Sequence, residues 1–561
     1  MEKIMIEFKI QLPLINKELH RGRARFGKIM FNYYADENIG FNDCAIEGNC
    51  SIDPVMYSLM EILLYELKQI TYYVVKMLEL GYDNPALKSK IIRYLSLIIV
   101  GYEFNRQEFE QLLREINREK KEVERVFMEV CEKRNIDCQI LHSHLKIENF
   151  DFISMINQGE RQAVLRNKAM STNVKNLTEI ILQLIKSAAV RLVELENYKS
   201  DCNQETNAIL KLFNSLNFST FNEAKLTRKI NDFAKANFDI HRKLHSAKEE
   251  YYGNIRPVEI STEIKKGPAI LVTGQNLYDF ERLLEATKNE DINIYTHDGM
   301  IVAHAYPKFA QYPNLVGHFQ KSLDNFQMDF SLFKGAIVIT QNAQHKFERL
   351  FRGRIFTTNP ISGKGMRKIV NDDFSPVIQA AIDAKGFDDE VKSPPVLVGY
   401  DEQKIMEKVD KIIEKIKNGE IKHLFIVGLI NHSLFAQDYF NELVANVPET
   451  SYVLSTAVSS DRENVFHIDS YFNTSLIYKI LEKLKENIDL SKFPVSMFMT
   501  QCNLHTISHL FNLKLIGIRD IYLPECSANI LTPNMINFLR DKFGFRQISD
   551  NAKKDLKKIC S

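Results

Sequence analysis

The hydrophobic period changes once along this 561-residue chain, and that change restricts its fold more than any other feature. Up to about residue 250, apolar residues recur every three or four positions, the spacing of one helix face. "DPVMYSLMEILLYELKQITYYVVKMLELG" keeps that spacing until Gly81, a stop signal. "NPALKSKIIRYLSLIIVGYEF", "NRQEFEQLLREINREKKEVERVFMEVCEKR", "NVKNLTEIILQLIKSAAVRLVELENY" and "EAKLTRKINDFAKANFDIHRKLHSAKEEYYG" repeat it. Short polar connections separate them, which predicts a helical-bundle domain. After "GNIRPVEISTEIKKGP" the pattern becomes short apolar runs between amphipathic helices: "AILVTG", "INIYTH", "GAIVIT" and "RIFTT". A second set, "HLFIVG", "SYVLST", "VSMFMT" and "DIYLP", follows "FDDEVKSPP". Buried strands alternating with helices predict two doubly wound α/β domains. The expected division is an extension over 1–29, the helical bundle over 30–252, and α/β domains over 253–395 and 396–561.

Charge and composition exclude several function classes. Lys plus Arg is 73 against 72 acidic residues, a net charge of +1, so nothing draws the whole chain to nucleic acid or an anionic membrane. No apolar run reaches the roughly 20 residues of a spanning helix. The start, "MEKIMIEFKIQLPLINKELHRGRARFGKI", interrupts its apolar residues with Lys9 and Gln11, unlike a secretory signal. A cytoplasmic location is expected. The eight cysteines are too sparse for a disulfide scaffold and fit a reducing compartment better.

In doubly wound sheets, functional groups gather beyond the carboxyl ends of the strands. Here those ends carry Gln275, Asp298 and Gly299, Ala343, Ile430, Val458, Cys502 and Asn503. There is no carboxylate pair, Ser-His-Asp set or phosphate-binding glycine loop among them. "ISGKGM" lacks the Ser/Thr and the preceding strand that a P-loop requires.

Several stretches resemble the hybrid cluster protein family (prismane proteins, or hydroxylamine reductases): "KKGPAILVTGQNLYDFERLLE", "INIYTHDGMIVAHAYP", "YPNLVGHFQKSLDNFQMDF", "RIFTTNPI", "DFSPVIQAA", "IKHLFIVG" and "ILTPNMINFLRDKFGFRQIS". The resemblance is collinear from about Met30 to Ile548. It implies a helical domain followed by two Rossmann-like domains. It also implies an amino-terminal four-iron cubane on a CxxC and two further cysteines. Laid on "MFNYYADENIGFNDCAIEGNC", the CxxC positions fall on Asn32 and Ala35, and the later two on Cys44 and Cys50.

The family's catalytic hybrid iron–sulfur–oxygen cluster is held by a histidine, two glutamates and four cysteines. Carried over in order, the histidine falls on Gln275 and the first glutamate on Gly299. The cysteines fall on Ala343, Ile430 (the persulfide position), Val458 and Ile468, and the last glutamate falls on Asn503. None keeps its type, and clusters need thiolates to neutralise ferric charge. The expectation is a degenerate relative without cofactor or reductase activity, acting as a binding or regulatory scaffold. The alternative is a hydroxylamine or nitric oxide reductase-like oxidoreductase with an altered iron–sulfur or other metal site.

Displaced donors lie nearby: His297, His432, His467, Cys502 and His505. One-residue displacement along a strand turns a side chain to the opposite face, and hydrogen-bonded histidines are the simpler expectation. Cys44 and Cys50 could pool thiolates across a homodimer. "CEKRNIDCQILHSH" offers Cys131, Cys138, His142 and His144 as a zinc candidate, against a helix end with Cys131 packed as an apolar residue. Pairing with an intact family member is a further possibility for partners.

Overall fold

The computed structural model describes residues 54–97, 105–141, 152–168, 171–217, 222–320, 326–341, 353–363, 365–429, 437–468, 474–500, 502, 504–524 and 533–560. The loop over 30–50 and the extension over 1–29 lie outside them.

The helical period gives α1 (Pro54–Glu79), α2 (Pro85–Leu97), α3 (Arg106–Lys133), α4 (Phe152–Lys168), α5 (Thr172–Asn197), α6 (Asn203–Asn214) and α7 (Glu223–Tyr252). Asn105, Ser171 and Asn222 cap α3, α5 and α7 by accepting first-turn N–H groups. Helix α1 packs on α3 and α4, and α5 packs on α2 and α7. The α1–α4 contact is close enough to require glycine. A Cβ on Gly159 would lie 1.9 Å from the Ser58 carbonyl oxygen. Between α1 and α3 a charge is buried: Lys120 donates to Glu66 at 2.8 Å, and Asn117 donates to the same carboxylate at 3.3 Å.

Beyond α7 the chain forms β1 (Val258–Ile260), β2 (Ala269–Thr273), α8 (Leu277–Thr287), β3 (Asn293–His297), β4 (Leu315–His318), α9 (Phe326–Leu332), β5 (Ala336–Ile339), β6 (Ile355–Thr357), β7 (Arg367–Lys368) and α10 (Ser375–Asp383). It continues through β8 (Val396–Val398), α11 (Glu402–Lys417), β9 (His423–Val427), α12 (Gln437–Asn446), β10 (Ser451–Ser455), β11 (Val465–His467) and α13 (Thr474–Asn487). The last elements are β12 (Val495–Phe498), α14 (Leu504–Ile516), β13 (Asp520–Leu523), α15 (Pro533–Phe543), β14 (Phe545–Gln547) and α16 (Ala552–Cys560). Two six-stranded parallel sheets result, ordered β4-β3-β2-β5-β6-β7 and β11-β10-β9-β12-β13-β14. An antiparallel ribbon, β1–β8, pairs the segment before the first sheet with the segment before the second.

Alternation assigns the faces. In β2, Ile270 and Val272 join one large core shared with the helices, while Leu271 joins Tyr295, Phe330 and Phe333 on the opposite face. In the second sheet Leu424 and Ile426 face the large core, and Phe425 and Val427 face α12 and α16. The central strands are buried on both faces, which is why they read as continuous apolar runs.

The zinc alternative fails at Cys131 and Cys138, and Cys131 is buried at the end of α3, 1% exposed, as the helix-end reading has it. Asn135 takes a left-handed conformation (φ 54) and Ile136 N–H returns to the Cys131 carbonyl at 3.0 Å. The chain therefore folds back past the end of α3, and Cys131 forms a disulfide with Cys138. Neither sulfur is then a thiolate ligand, and His142 and His144 lie outside the described residues. Cys502 is also disulfide-bonded, so the fully reduced reading of the cysteines fails at these positions. Cross-linking residues seven apart is worth about 2.5 kcal/mol through the unfolded chain. Cys131→Ala/Cys138→Ala is expected to lower the urea midpoint of the helical signal accordingly. Equal midpoints for the variant and the oxidised parent would refute this.

Candidate functional site

In both sheets the strand order reverses beside the first strand, between β2 and β5 and between β9 and β12. Crevices at such reversals are where doubly wound sheets bind ligands. Beyond β2, Gly274 turns the chain with φ 119, Gln275 is exposed, and Asn276 caps α8 by accepting from Tyr278 and Asp279 N–H, both at 3.1 Å. One Asp279 oxygen accepts from Gln341 N–H at 2.9 Å and from the Thr358 hydroxyl at 2.5 Å. It thereby ties α8 to the ends of β5 and β6. Burial holds this carboxyl above its ordinary range despite those donors.

The end of β3 carries a buried imidazole network. His297 is fully buried; its Nδ1 faces the Thr273 hydroxyl at 3.0 Å and its Nε2 faces Asp329 at 3.2 Å. Both ring nitrogens are engaged, which is the hydrogen-bonded role expected of it. The Thr296 hydroxyl lies 3.0 Å from His304 Nε2 and 3.0 Å from His318 Nδ1, and His318 Nε2 lies 3.2 Å from Gln320 Oε1. The Thr296 hydroxyl thus sits between the two rings, and it also reaches the Gly317 carbonyl at 3.4 Å. Burial lowers the pKa of His304 to about 4 and that of His318 to about 3, so both rings are neutral at pH 7.

At the second sheet, the Ser455 hydroxyl accepts from Ala457 N–H (3.2 Å) and Val458 N–H (2.8 Å). His467 Nδ1 lies 3.0 Å from the Val458 carbonyl, and Ile468 N–H donates to the Ser455 carbonyl at 2.8 Å. Val458 and Ile468 are 5% and 2% exposed. They follow the ends of the adjacent strands β10 and β11 and enter different cores, Ile468 the large one and Val458 the one with α12 and α16.

Sequence reasoning missed a further polar cluster. Helix α14 packs on α5 and α7. There Ser187 meets Ser508 at 3.2 Å, Asn237 donates to Asn512 at 2.9 Å, and Asn512 donates to the Tyr478 hydroxyl at 3.2 Å. Tyr478 in turn bonds His509 Nδ1. Arg191, 7% exposed, donates to the Ser187 carbonyl and hydroxyl. Burial lowers its pKa to about 10, against the favourable Tyr478 and Glu194. No local signal marks this cluster, because its members come from four separate helices.

Of the carried-over cluster positions, Gln275, Gly299, Val458 and Ile468 are described; Ala343, Ile430, Asn503, Cys44 and Cys50 lie outside the described residues. Gln275 and Gly299 each follow by two residues the paired Thr273 and His297, so they end adjacent strands. Chemically the four offer a carboxamide, a residue with no side chain and two aliphatic groups. Among the described residues no three His, Cys, Asp or Glu side chains form a metal-binding group. This donor set does not fit a hybrid cluster, and no step is derived through one.

The Prismane/CO dehydrogenase family model matches residues 40–465. The chain is 25% identical over 520 residues to a hydroxylamine reductase of Acidiphilium cryptum, covering 90% of this chain and 93% of that one. It is 25% identical over 541 residues to a hydroxylamine reductase of Thermodesulfovibrio yellowstonii, covering 92% and 98%. A solved structure, acetyl-CoA synthase/carbon monoxide dehydrogenase alpha subunits with NiZn[Fe4S4] and NiNi[Fe4S4] clusters, aligns at TM-score 0.46 and 11% identity, covering 91% and 83%. No described helix is long and apolar enough to cross a membrane. The family match corrects the expectation of no cofactor. Iron–sulfur clusters are the family's cofactors, and the match over residues 40–465 favours such a cofactor over none. The earlier expectation generalised from one set of strand-end residues to every donor in the chain.

Proposed function

Because this chain belongs to the Prismane/CO dehydrogenase family, we propose that it keeps the family scaffold and an iron–sulfur cofactor while having lost hydroxylamine reduction at the strand ends, and that it serves as a binding or regulatory protein. The observation that carries this is the residue chemistry there: Gln275, Gly299, Val458 and Ile468 supply no thiolate, carboxylate or imidazole. In this reading the cofactor donors are Cys44 and Cys50, pooled across two copies of the chain, since two thiolates leave a cubane half-ligated. The domain divisions are those at 29, 252 and 395. The second and third domains are Rossmann-like, supported by the order 3-2-1-4-5-6 in each sheet.

A second reading, a hydroxylamine reductase-like oxidoreductase, is favoured by the near-complete coverage of relatives bearing that name. One experiment separates them. The full chain is purified without oxygen, its iron and acid-labile sulfide are measured, and hydroxylamine-dependent oxidation of reduced methyl viologen is followed. The expected result is iron with sulfide, lost in Cys44→Ser/Cys50→Ser, and a hydroxylamine rate equal to that without protein. Turnover well above that background overturns the scaffold reading in favour of the reductase. Iron retained in the double variant overturns the ligand assignment.

A further inference from the structure

We propose that the cleft between α1, α6 and the first two turns of α7 binds a small oligophosphate anion, of which inorganic pyrophosphate has the fitting size and charge. The cleft has a volume of about 280 Å³ and is lined by Lys76, Glu79, Lys211, Asn214, Lys225 and Lys229 among others. Four lysines and one glutamate thus border it. That carboxylate is already engaged: Lys76 donates to Glu79 at 2.7 Å. Lys211, Lys225 and Lys229 have no acidic partner within 4 Å among the described residues.

The concentration of charge is local. The whole chain is balanced at 73 basic to 72 acidic residues, so the net positive charge of the cleft is not a global excess. Like charges gathered in a concavity repel one another and focus a positive potential, which a multivalent anion relieves. Two further features point the same way. Asn214 is 7% exposed; its Oδ1 accepts from Asn217 at 2.9 Å, while its Nδ2 has no acceptor among the described residues and lines the cleft. It is a donor at the cleft wall, open to water or to an anion's oxygen. Asn222, which caps the positive end of the 30-residue α7 by accepting from Ala224 and Lys225 N–H, also borders the cleft. The first-turn acid of α7, Glu223, is drawn away by Lys542 at 2.7 Å.

The volume sets the ligand class, being just below the roughly 300 Å³ lower bound of drug-sized pockets. It suits a free diphosphate better than a nucleotide. Lysines, as rotatable point charges, suit phosphate oxygens without demanding planar bidentate geometry.

The test is isothermal titration of the full chain with sodium pyrophosphate in the absence of divalent metal. Saturable binding of one anion per chain is expected, weakened at least tenfold by Lys211→Gln/Lys225→Gln/Lys229→Gln. The corresponding arginine triple variant is expected to stay within about threefold, as its charge is kept. Lys492→Gln, a remote lysine 86% exposed, is expected to leave binding unchanged. Circular dichroism checks that each variant is folded. No saturable heat with the parent, or equal binding by the glutamine triple, overturns the proposal. Weakening by Lys492→Gln as large as that by the triple shows diffuse attraction and also overturns it. ADP binding tighter than pyrophosphate overturns the size argument and assigns a nucleotide instead.

Discussion

Lys120→Met is expected to destabilise the helical region by about 3–5 kcal/mol at neutral pH, because it leaves Glu66 as an uncompensated buried charge. Glu66 is fully buried on α1 and Lys120 is 4% exposed on α3, with the ion pair at 2.8 Å. Burial raises the Glu66 pKa, and the Lys120 ammonium opposes that rise. Methionine keeps the unbranched stem of lysine and removes the charge, so the loss is electrostatic rather than a cavity. Replacing both partners, Glu66→Leu/Lys120→Met, is expected to return stability to within about 1–2 kcal/mol of the parent, as the desolvation cost disappears with the pair.

The pH dependence distinguishes this account from lost packing. A carboxyl whose folded pKa is raised above its unfolded value of about 4.3 stabilises fully only below that value. The contribution is lost as pH rises through the folded pKa. Removing Lys120 raises the folded pKa further. The gap between parent and Lys120→Met should therefore be small at pH 4 and open as pH rises toward 7. Urea unfolding followed by helical circular dichroism at the two pH values reads it. A gap of equal size at both would assign the loss to packing.

What was legible in the sequence follows burial. The eight strands read from apolar runs are those buried on both faces, such as Ala269–Thr273 and His423–Val427. The missed ones are short strands with partly or fully exposed residues. Arg367–Lys368 is exposed at both positions, and Val465–His467 is only half-buried; neither presents a periodic apolar signal. Gly81 as a helix stop was readable because a left-handed φ of 76 is a local demand. The partnership of Ser187 with Ser508, separated by 321 residues, makes no local demand and leaves no pattern. The Cys131–Cys138 disulfide runs against the reduced cysteines expected from their sparseness. Reading the same residues as zinc donors failed because the left-handed turn at Asn135, which brings the two sulfurs together, has no glycine to announce it. The strand ends were legible as a location, since the sheet order places the crevices there. Their residue types alone misdirected the cofactor expectation, because donors need not come from the strand ends.

Gly428→Ala is expected to destabilise the second sheet by about 3 kcal/mol, because this strand-end position leaves no room for a methyl. Two costs combine. The backbone at Gly428 has φ 109, outside what an L side chain tolerates, and a Cβ there would lie 2.0 Å from Thr456 Oγ1. The residue cannot simply move away. Its N–H is held by the Phe498 carbonyl at 2.9 Å, and Thr456 N–H is held by the Val427 carbonyl at 2.9 Å. These bonds fix the end of β9 against β10 and β12, at the strand-order reversal. Thr456→Ala separates the two costs. Removing Oγ1 leaves the Thr456 Cβ, 3.2 Å from the added methyl, as the nearest neighbour and relieves the collision without altering φ. In the double variant about 1–2 kcal/mol should return, measured as the coupling energy of a double-mutant cycle. The remainder is backbone strain. Recovery of the full loss would show that the turn relaxes freely once the hydroxyl is gone. No recovery would show that the left-handed backbone alone sets the cost. The expected partial recovery means that this crevice is shaped by a backbone conformation and a side-chain approach together. Gly428 stands two residues before Ile430, so any ligand approaching that end of β9 meets a surface the sheet itself holds in place.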